Sequence, residues 1–329
     1  MKLARRRFLH LAAGAATLLA ASRIAKAQAY PTRPIRLVVP FAPGGAFDTI
    51  GRPLAEKMKP LLGTVIVENI GGGGSSLGAA AVARSRPDGY SLLLGGTVPH
   101  VNEALLKGHP LYDPIKDLEP IANVADTALF LAVNPSLPVH SLNELIAYAK
   151  SNPGKVSFGH VGIGSTNHLT GELLKSLTGT PDIVQVPYRG AGPAIQDVIG
   201  GQLPMVIAGS NGQLLELHRS GKLRILAVTS QTRPIAAPEI PTVAEEGLPG
   251  LTNKGSIGLL APTGTSKAII EQIAQAAHGA LAEPAFQQFL LEAGYEPDRD
   301  STPEKFRMSL ERDVAFWAPI VKSLGLKVD

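Results

Sequence analysis

No cysteine occurs among the 329 residues. Its absence excludes a disulfide framework, a thiolate metal site, an iron–sulfur cluster and a cysteine nucleophile, and leaves the compartment open. Charge is sparse, at 18%, and aromatic residues make up only 5%, with a single Trp. A membrane-spanning run is missing too. The most apolar stretch, Phe8 to Ala21, is short and rich in Ala and Gly, whereas a spanning helix needs about 20 strongly apolar residues. What is plentiful is turn-forming: 35 Gly and 27 Pro. Together they stay below the roughly 25–30% typical of low-complexity chains, and with 44% hydrophobic residues the chain can bury a sizeable core. The prior is two domains or one large α/β unit.

The formal charge of +4 is set by the first 29 residues. They carry Lys2, Arg5, Arg6, Arg7, Arg23 and Lys26 and no acidic residue. A basic start, a weakly apolar stretch and the small residues Ala25-Lys26-Ala27 and Ala27-Gln28-Ala29 read as a signal peptide cleaved near Ala27 or Ala29. Arg5-Arg6-Arg7-Phe8-Leu9 fits a twin-arginine export signal; a general secretory signal is the alternative, and both lead to the periplasm. Taking six basic residues from 31 leaves 25 against 27 acidic ones. The mature chain is then slightly acidic, which removes the electrostatic footing for nucleic-acid binding.

From Tyr30 onward short β-rich runs alternate with helical stretches. Strands are expected at 35–40, 65–68 and 90–94, with helices over 49–62 and 78–85, a βαβαβ opening that implies a parallel sheet covered on both faces. Further strands are expected at 129–133, 156–160, 183–186, 205–208, 223–229 and 257–260. Ser141-Leu142-Asn143-Glu144 is a capping box. Two amphipathic helices are expected at the end, from Ser266 and after Thr302-Pro303-Glu304, and the Pro-rich stretch 233–249 reads as a surface connection. The strand before these helices can return the chain to the first domain, giving two crossings between lobes.

Three glycine loops draw attention. Pro43-Gly44-Gly45-Ala46-Phe47-Asp48 stands between a buried strand and a helix, where small residues let backbone amides crowd one point and the helix start adds positive potential, so the loop can hold an anion. A tight turn with Asp48 as helix cap is the alternative. Gly162-Ile163-Gly164-Ser165-Thr166-Asn167-His168 repeats the design. Two such loops in a two-lobed chain would converge on a cleft suited to a dicarboxylate. The third, Gly71 to Gly78, contains Gly74-Ser75-Ser76-Leu77-Gly78, a literal G-x-S-x-G. Ser76 lies too far past the strand for a nucleophile elbow; the dinucleotide spacing and a Walker A loop are absent. The eight histidines are scattered without ligand spacing, so metal catalysis has little support. Arg189 fits either a carboxylate contact or a local turn, His168 an orienting bond or catalysis. Tyr188 and Phe47 fit either cleft walls or the core.

Taken together the motifs resemble the tripartite tricarboxylate transporter substrate-binding proteins, the Bug or TctC-type family. The marks are Tyr30-Pro31-Thr32-Arg33-Pro34-Ile35, Val39-Pro40-Phe41-Ala42-Pro43-Gly44-Gly45 with Asp48, Val67-Glu68-Asn69, Pro87-Asp88-Gly89-Tyr90, Val186-Pro187-Tyr188-Arg189-Gly190, Pro241-Thr242-Val243-Ala244-Glu245 and Ala261-Pro262-Thr263-Gly264-Thr265. The resemblance implies a two-lobed α/β type II periplasmic-binding fold with crossing strands: lobe 1 from 30–128 and 253–329, lobe 2 from 129–252. It implies capture of a small carboxylate solute for membrane permease subunits of a tripartite transporter, without catalysis, cofactor or metal, by a monomer. Ligand contacts are expected at Phe41, Gly44, Gly45, Ala46, Phe47 and Asp48, at Gly164, Ser165, Thr166 and Asn167, and at Thr97 and Tyr188. Ala46-Phe47 departs from the small polar residue common there, and Asn69-Ile70-Gly71 lacks the usual Arg-Pro pair. An exported serine hydrolase using Ser76 or Ser165, or a ligand-sensing partner of a signalling receptor, are the rival readings.

Overall fold

A computed structural model describes residues 30–327; the expected signal peptide lies outside them. The chain divides into two compact units between Arg33 and Pro34, and both sheets belong to the second. The apolar runs become strands because they are buried on both faces. β3 (Ser91–Gly96) and β5 (Leu129–Val133) have almost no exposed residue, the pattern of sheets covered by helices on each side.

The first sheet has the order β11-β4-β10-β3-β1-β2. It is built from β1 (Ile35–Val39), β2 (Val65–Asn69), β3, β4 (Leu118–Thr127), β10 (Gly255–Pro262) and β11 (Glu296–Pro297). The second, ordered β7-β6-β8-β5-β9, contains β5, β6 (Ser157–His160), β7 (Val184–Pro187), β8 (Met205–Gly209) and β9 (Arg224–Val228). In chain order the helices are α1 (Ala46–Leu62), α2 (Ser76–Ala83), α3 (Thr97–Val101), α4 (Leu142–Ser151), α5 (Thr166–Thr178), α6 (Ala191–Ile199), α7 (Gly212–Arg219), α8 (Lys267–Ala282), α9 (Pro284–Glu292) and α10 (Pro303–Leu324). A π-helical turn, Asn102–Leu106, continues α3.

Strand directions decide where the glycine loops stand. β10 is antiparallel to both β3 and β4, so β4 runs parallel to β1 and β3. Its last residue, Thr127, passes through Ala128 directly into β5. There Leu129 pairs with Gly209, so β5 begins beside the end of β8, which is parallel to β6. The carboxyl ends of β1 and β3 in one sheet and of β6 and β8 in the other therefore all point toward the crossing. The return segment between β9 and β10 is tied to the outgoing one: the Leu129 amide donates to Thr229 Oγ1 (2.9 Å), the Thr229 amide to the Leu129 carbonyl (3.0 Å) and the Asn253 amide to the Thr229 carbonyl (2.9 Å).

Each sheet has its own core. Val38, Leu93 and Leu260 pack with Phe306 and Leu310 of α10 against the first sheet. In the second, Phe158, Leu174 and Ile207 fill one face and Phe130, Ile195 and Val206 the other. Trp317 and Val321, from the far end of α10, join the second sheet's cluster, as do Val101 and Leu106. Full burial of one such side chain is worth about 1.5–3 kcal/mol.

Three expectations change. β4 was not anticipated; three C-terminal helices are present rather than two; and the Pro-rich 233–249 stretch is no mere surface connection. Ile240 and Val243 are buried within it, and Thr242 bridges to Val228. The capping box is also modified: Ser141 accepts the Glu144 amide (3.1 Å), but the Glu144 carboxylate reaches the His140 amide (2.6 Å).

Candidate ligand-binding site

The first loop joins β1 to α1, with Gly45 as an N-cap that offers no side-chain bond. Gly44 takes φ +82 with open space around it, a turn that an L side chain would strain. The opening amides of α1 have no acceptor in a preceding turn, so Gly45, Ala46 and Phe47 present N–H groups where the helix dipole is positive. Asp48 is not the N-cap. Its Oδ2 accepts from the Gly44 amide (2.9 Å) and Arg52 Nε (2.9 Å), and its Oδ1 from Asn69 Nδ2 (3.0 Å). Asn69 Nδ2 also donates to the Phe41 carbonyl (3.0 Å), and Arg52 closes the ring on Asn69 Oδ1 (3.0 Å). Burial alone raises the Asp48 carboxyl, but the bonds from Arg52, Gly44 and Asn69 outweigh it and hold it below its ordinary value. Asp48 is thus spent on shaping the loop. Asn69 and Arg52 were missed as site residues, because only the β1–β2 pairing brings Asn69 level with Val39. Phe41 and Phe47 pack their rings at 4.6 Å.

The second loop joins β6 to α5. Ser165 is a true N-cap: its Oγ accepts the His168 amide (3.2 Å) and donates to the Gly162 carbonyl (2.7 Å). Thr166 and Asn167 supply the next opening amides, and the Asn167 side chain is anchored on the Ile207 carbonyl (3.0 Å). The Gly164 amide points to His168 Nδ1 (3.3 Å). Burial, then His160 and Lys175, push the His168 imidazole down to about 4.

The third loop turns through Gly72, Gly73, Gly74 and Ser75 with positive φ. Ser76 is buried and its Oγ donates to the Glu103 carboxylate. Among the described residues neither Ser76 nor Ser165 is hydrogen-bonded to an imidazole, the pairing an activated serine needs. Thr97 is fully buried; its Oγ1 accepts the Ser256 amide (2.8 Å) and donates to Asp313 (2.5 Å). It ties the end of β3 to β10. Tyr188 packs against the second core, and its hydroxyl donates to Asp197 (2.6 Å); Arg189 is exposed. The topology therefore places the loops holding Gly44 to Asp48 and Gly164 to Asn167 at ends of their sheets that point to the crossing, while Thr97 and Tyr188 have their hydroxyls engaged internally. A shallow recess also opens beside the crossing, lined by Thr127, Phe130, Leu215, Ile235 and Tyr295 among others, and neither loop contributes to it.

Two α/β lobes joined by paired crossing segments, with a glycine turn opening a helix from each, define the class of the two-lobed periplasmic solute-binding proteins, and the type II fold expected from the sequence is the one found. The chain belongs to the tripartite tricarboxylate transporter family receptors, TctC, whose family model matches residues 50–326. It is 37% identical over 305 residues to protein BugT of Bordetella pertussis, covering 92% of each chain. Among solved structures it is similar to the periplasmic binding protein BugD, at 35% identity and a TM-score of 0.82 over 91% of this chain and 99% of that one. It is also similar to a Rhodopseudomonas palustris protein solved with adipate, at 32% identity and a TM-score of 0.84 over 91% and 99%.

Proposed function

We propose that this protein captures a small carboxylate-bearing solute between its two lobes in the periplasm and delivers it to the membrane permease of a tripartite tricarboxylate transporter. The observation that carries this is the matched pair of helix-opening loops, Gly44 to Asp48 and Gly164 to Asn167, standing on sheet ends that point toward one crossing. Each offers main-chain N–H groups and the positive end of a helix, which suits one carboxylate per loop. The adipate-bound relative supports a dicarboxylate as guest. Phe41, Phe47 and Tyr188 line the apolar part of the site, and Thr97 stiffens its floor. Lobe 1 (30–128 and 253–329) and lobe 2 (129–252) close by bending at Ala128 and Asn253, a hinge motion favoured by contacts to both loops. The protein acts as a monomer without catalysis, and the export signal over 1–29 is removed near Ala27 or Ala29.

Calorimetry and thermal unfolding against mono-, di- and tricarboxylates test the reading. An acid at 100 times its Kd stabilises the fold by about 2.7 kcal/mol. A flat response across the whole panel would sink it.

A further inference from the structure

The second loop carries a feature that anion binding does not require. Two buried histidines, His160 at the end of β6 and His168 in the first turn of α5, stand with ring centroids 4.7 Å apart. Each ring meets an amide of the loop between them: Gly162 N–H lies 3.2 Å from His160 Nδ1, and Gly164 N–H lies 3.3 Å from His168 Nδ1. An imidazole nitrogen accepts only while it is unprotonated. On His160 the opposite nitrogen, Nε2, lies 2.5 Å from Gln185 Oε1; with the ring hydrogen on that side, Nδ1 is the acceptor.

We infer that His160 and His168 are positioning residues of the second ligand loop. Their Nδ1 atoms hold the Gly162 and Gly164 amides, so the loop turns the Thr166 and Asn167 amides to the solute, and a proton on either ring dismantles this arrangement. The inference rests on the solute-binding reading above.

The consequence of a proton is specific. His160 Nδ1 also lies 2.9 Å from the Gly162 carbonyl. Once protonated it can no longer accept the Gly162 amide and donates to that carbonyl instead. The same oxygen already accepts Ser165 Oγ (2.7 Å) and the Ser165 amide (3.2 Å), the bonds that set the α5 cap. Three donors then compete for one carbonyl oxygen with two lone pairs. On His168 a proton at Nδ1 faces the Gly164 N–H head-on. The charged groups around the pair are Glu172 and Lys175 of α5, bonded to each other at 2.9 Å. Asp197 of α6 is held by the Tyr188 hydroxyl, on a ring that flanks β6 at Gly159. Burial, the largest effect, opposes a proton on His160, with Gln185, the Gly162 carbonyl and Glu172 working the other way; burial, then His160 and Lys175, oppose one on His168.

Long-range ¹⁵N spectra of the imidazoles in the intact mature protein decide the ring chemistry directly. Both rings should carry their hydrogen on Nε2 at pH 7.5. Adipate affinity measured from pH 8 down to about 3.5, through the value near 4 to which His168 is pushed, tests the consequence. His168→Asn, whose amide oxygen stands where Nδ1 is and takes up no proton, should bind as wild type at pH 8 and lose less affinity in acid. His168→Leu should bind roughly tenfold more weakly at every pH, the effect of about one hydrogen bond. Comparing variants removes the titration of adipate itself, and thermal unfolding checks that each folds. A hydrogen on Nδ1 of either ring, or superimposable pH profiles for wild type and His168→Asn, overturns the inference. If wild type binds no carboxylate at any pH, the solute-binding reading fails instead, and the ring spectra still decide the imidazole assignment.

Discussion

Asp48 shows how one side chain organises the first loop. It takes the Gly44 amide, Arg52 and Asn69 at once, so Asp48→Ala removes three hydrogen bonds to one buried carboxylate and should destabilise the fold by about 1–3 kcal/mol in urea unfolding. The carboxyl's folded pKa is depressed, so its contribution is present above the ordinary value of 3.8 and is lost as pH falls through the lower folded value. Asp48→Asn should therefore cost stability at pH 7 and little at pH 2. Gly44 and Gly45 were legible in the sequence as a turn before a helix, because glycine between a strand and a helical run carries its own meaning. The partner of Asp48 was not legible: Asn69 lies 21 residues on and becomes a neighbour only through strand pairing. The histidine pair was hidden for a different reason: its contacts are two and four residues apart, but each ring meets an amide whose position depends on a turn, not on a motif.

Among elements, β4 is the instructive miss. Leu-Glu-Pro-Ile-Ala-Asn-Val-Ala-Asp-Thr mixes Pro, Asn and Asp into a buried strand, and neither alternation nor a continuous apolar run survives. Its polar donors find partners: Asn123 Nδ2 donates to Asp126 (2.8 Å) and Asp298 (3.2 Å), and the Asn123 amide to Ser301 Oγ (2.7 Å), while Asn123 Oδ1 is buried without a partner among the described residues. Strands β1, β3 and β5, by contrast, were legible as apolar β-rich runs. Where β3 ends, Gly96 at φ +150 has no room for a Cβ, which would run into the Ser256 carbonyl. Gly96→Ala should force β3 off β10 and cost more than about 3 kcal/mol, read as a large fall in thermal midpoint. Beside it Asp313 accepts the Thr97 hydroxyl. Burial, chiefly, pushes its carboxyl up to about 7. A raised acid is most stabilising, relative to its ionised form, below 3.8, and that advantage is lost as pH rises through 7. Asp313→Asn should therefore stabilise the protein at pH 8, by about 1 kcal/mol or more, and change little at pH 4.

For the whole molecule, the buried histidines set the acid limb of stability. His100 and His168 are both pushed down to about 4, chiefly by burial, and His160 and His218 shift the same way. For His100 and His168 the unfolded chain takes up a proton near 6.5 and the folded one only nearer 4, so their contribution to stability falls as pH drops across that window. Urea midpoints at pH 7 and 4.5 measure this, and a carboxylate guest should raise the pH 7 midpoint. The two-lobed plan was legible from the alternation of strands and helices. The sharing of α10 was not: its early turns, with Phe306 and Leu310, sit in the first core, and its later ones, with Trp317 and Val321, sit in the second. One continuous rod is thus seated in both cores, beside the two peptide crossings. Closure as proposed would have to flex or slide that rod, so the arc open to the halves is set by how far it bends without leaving either core.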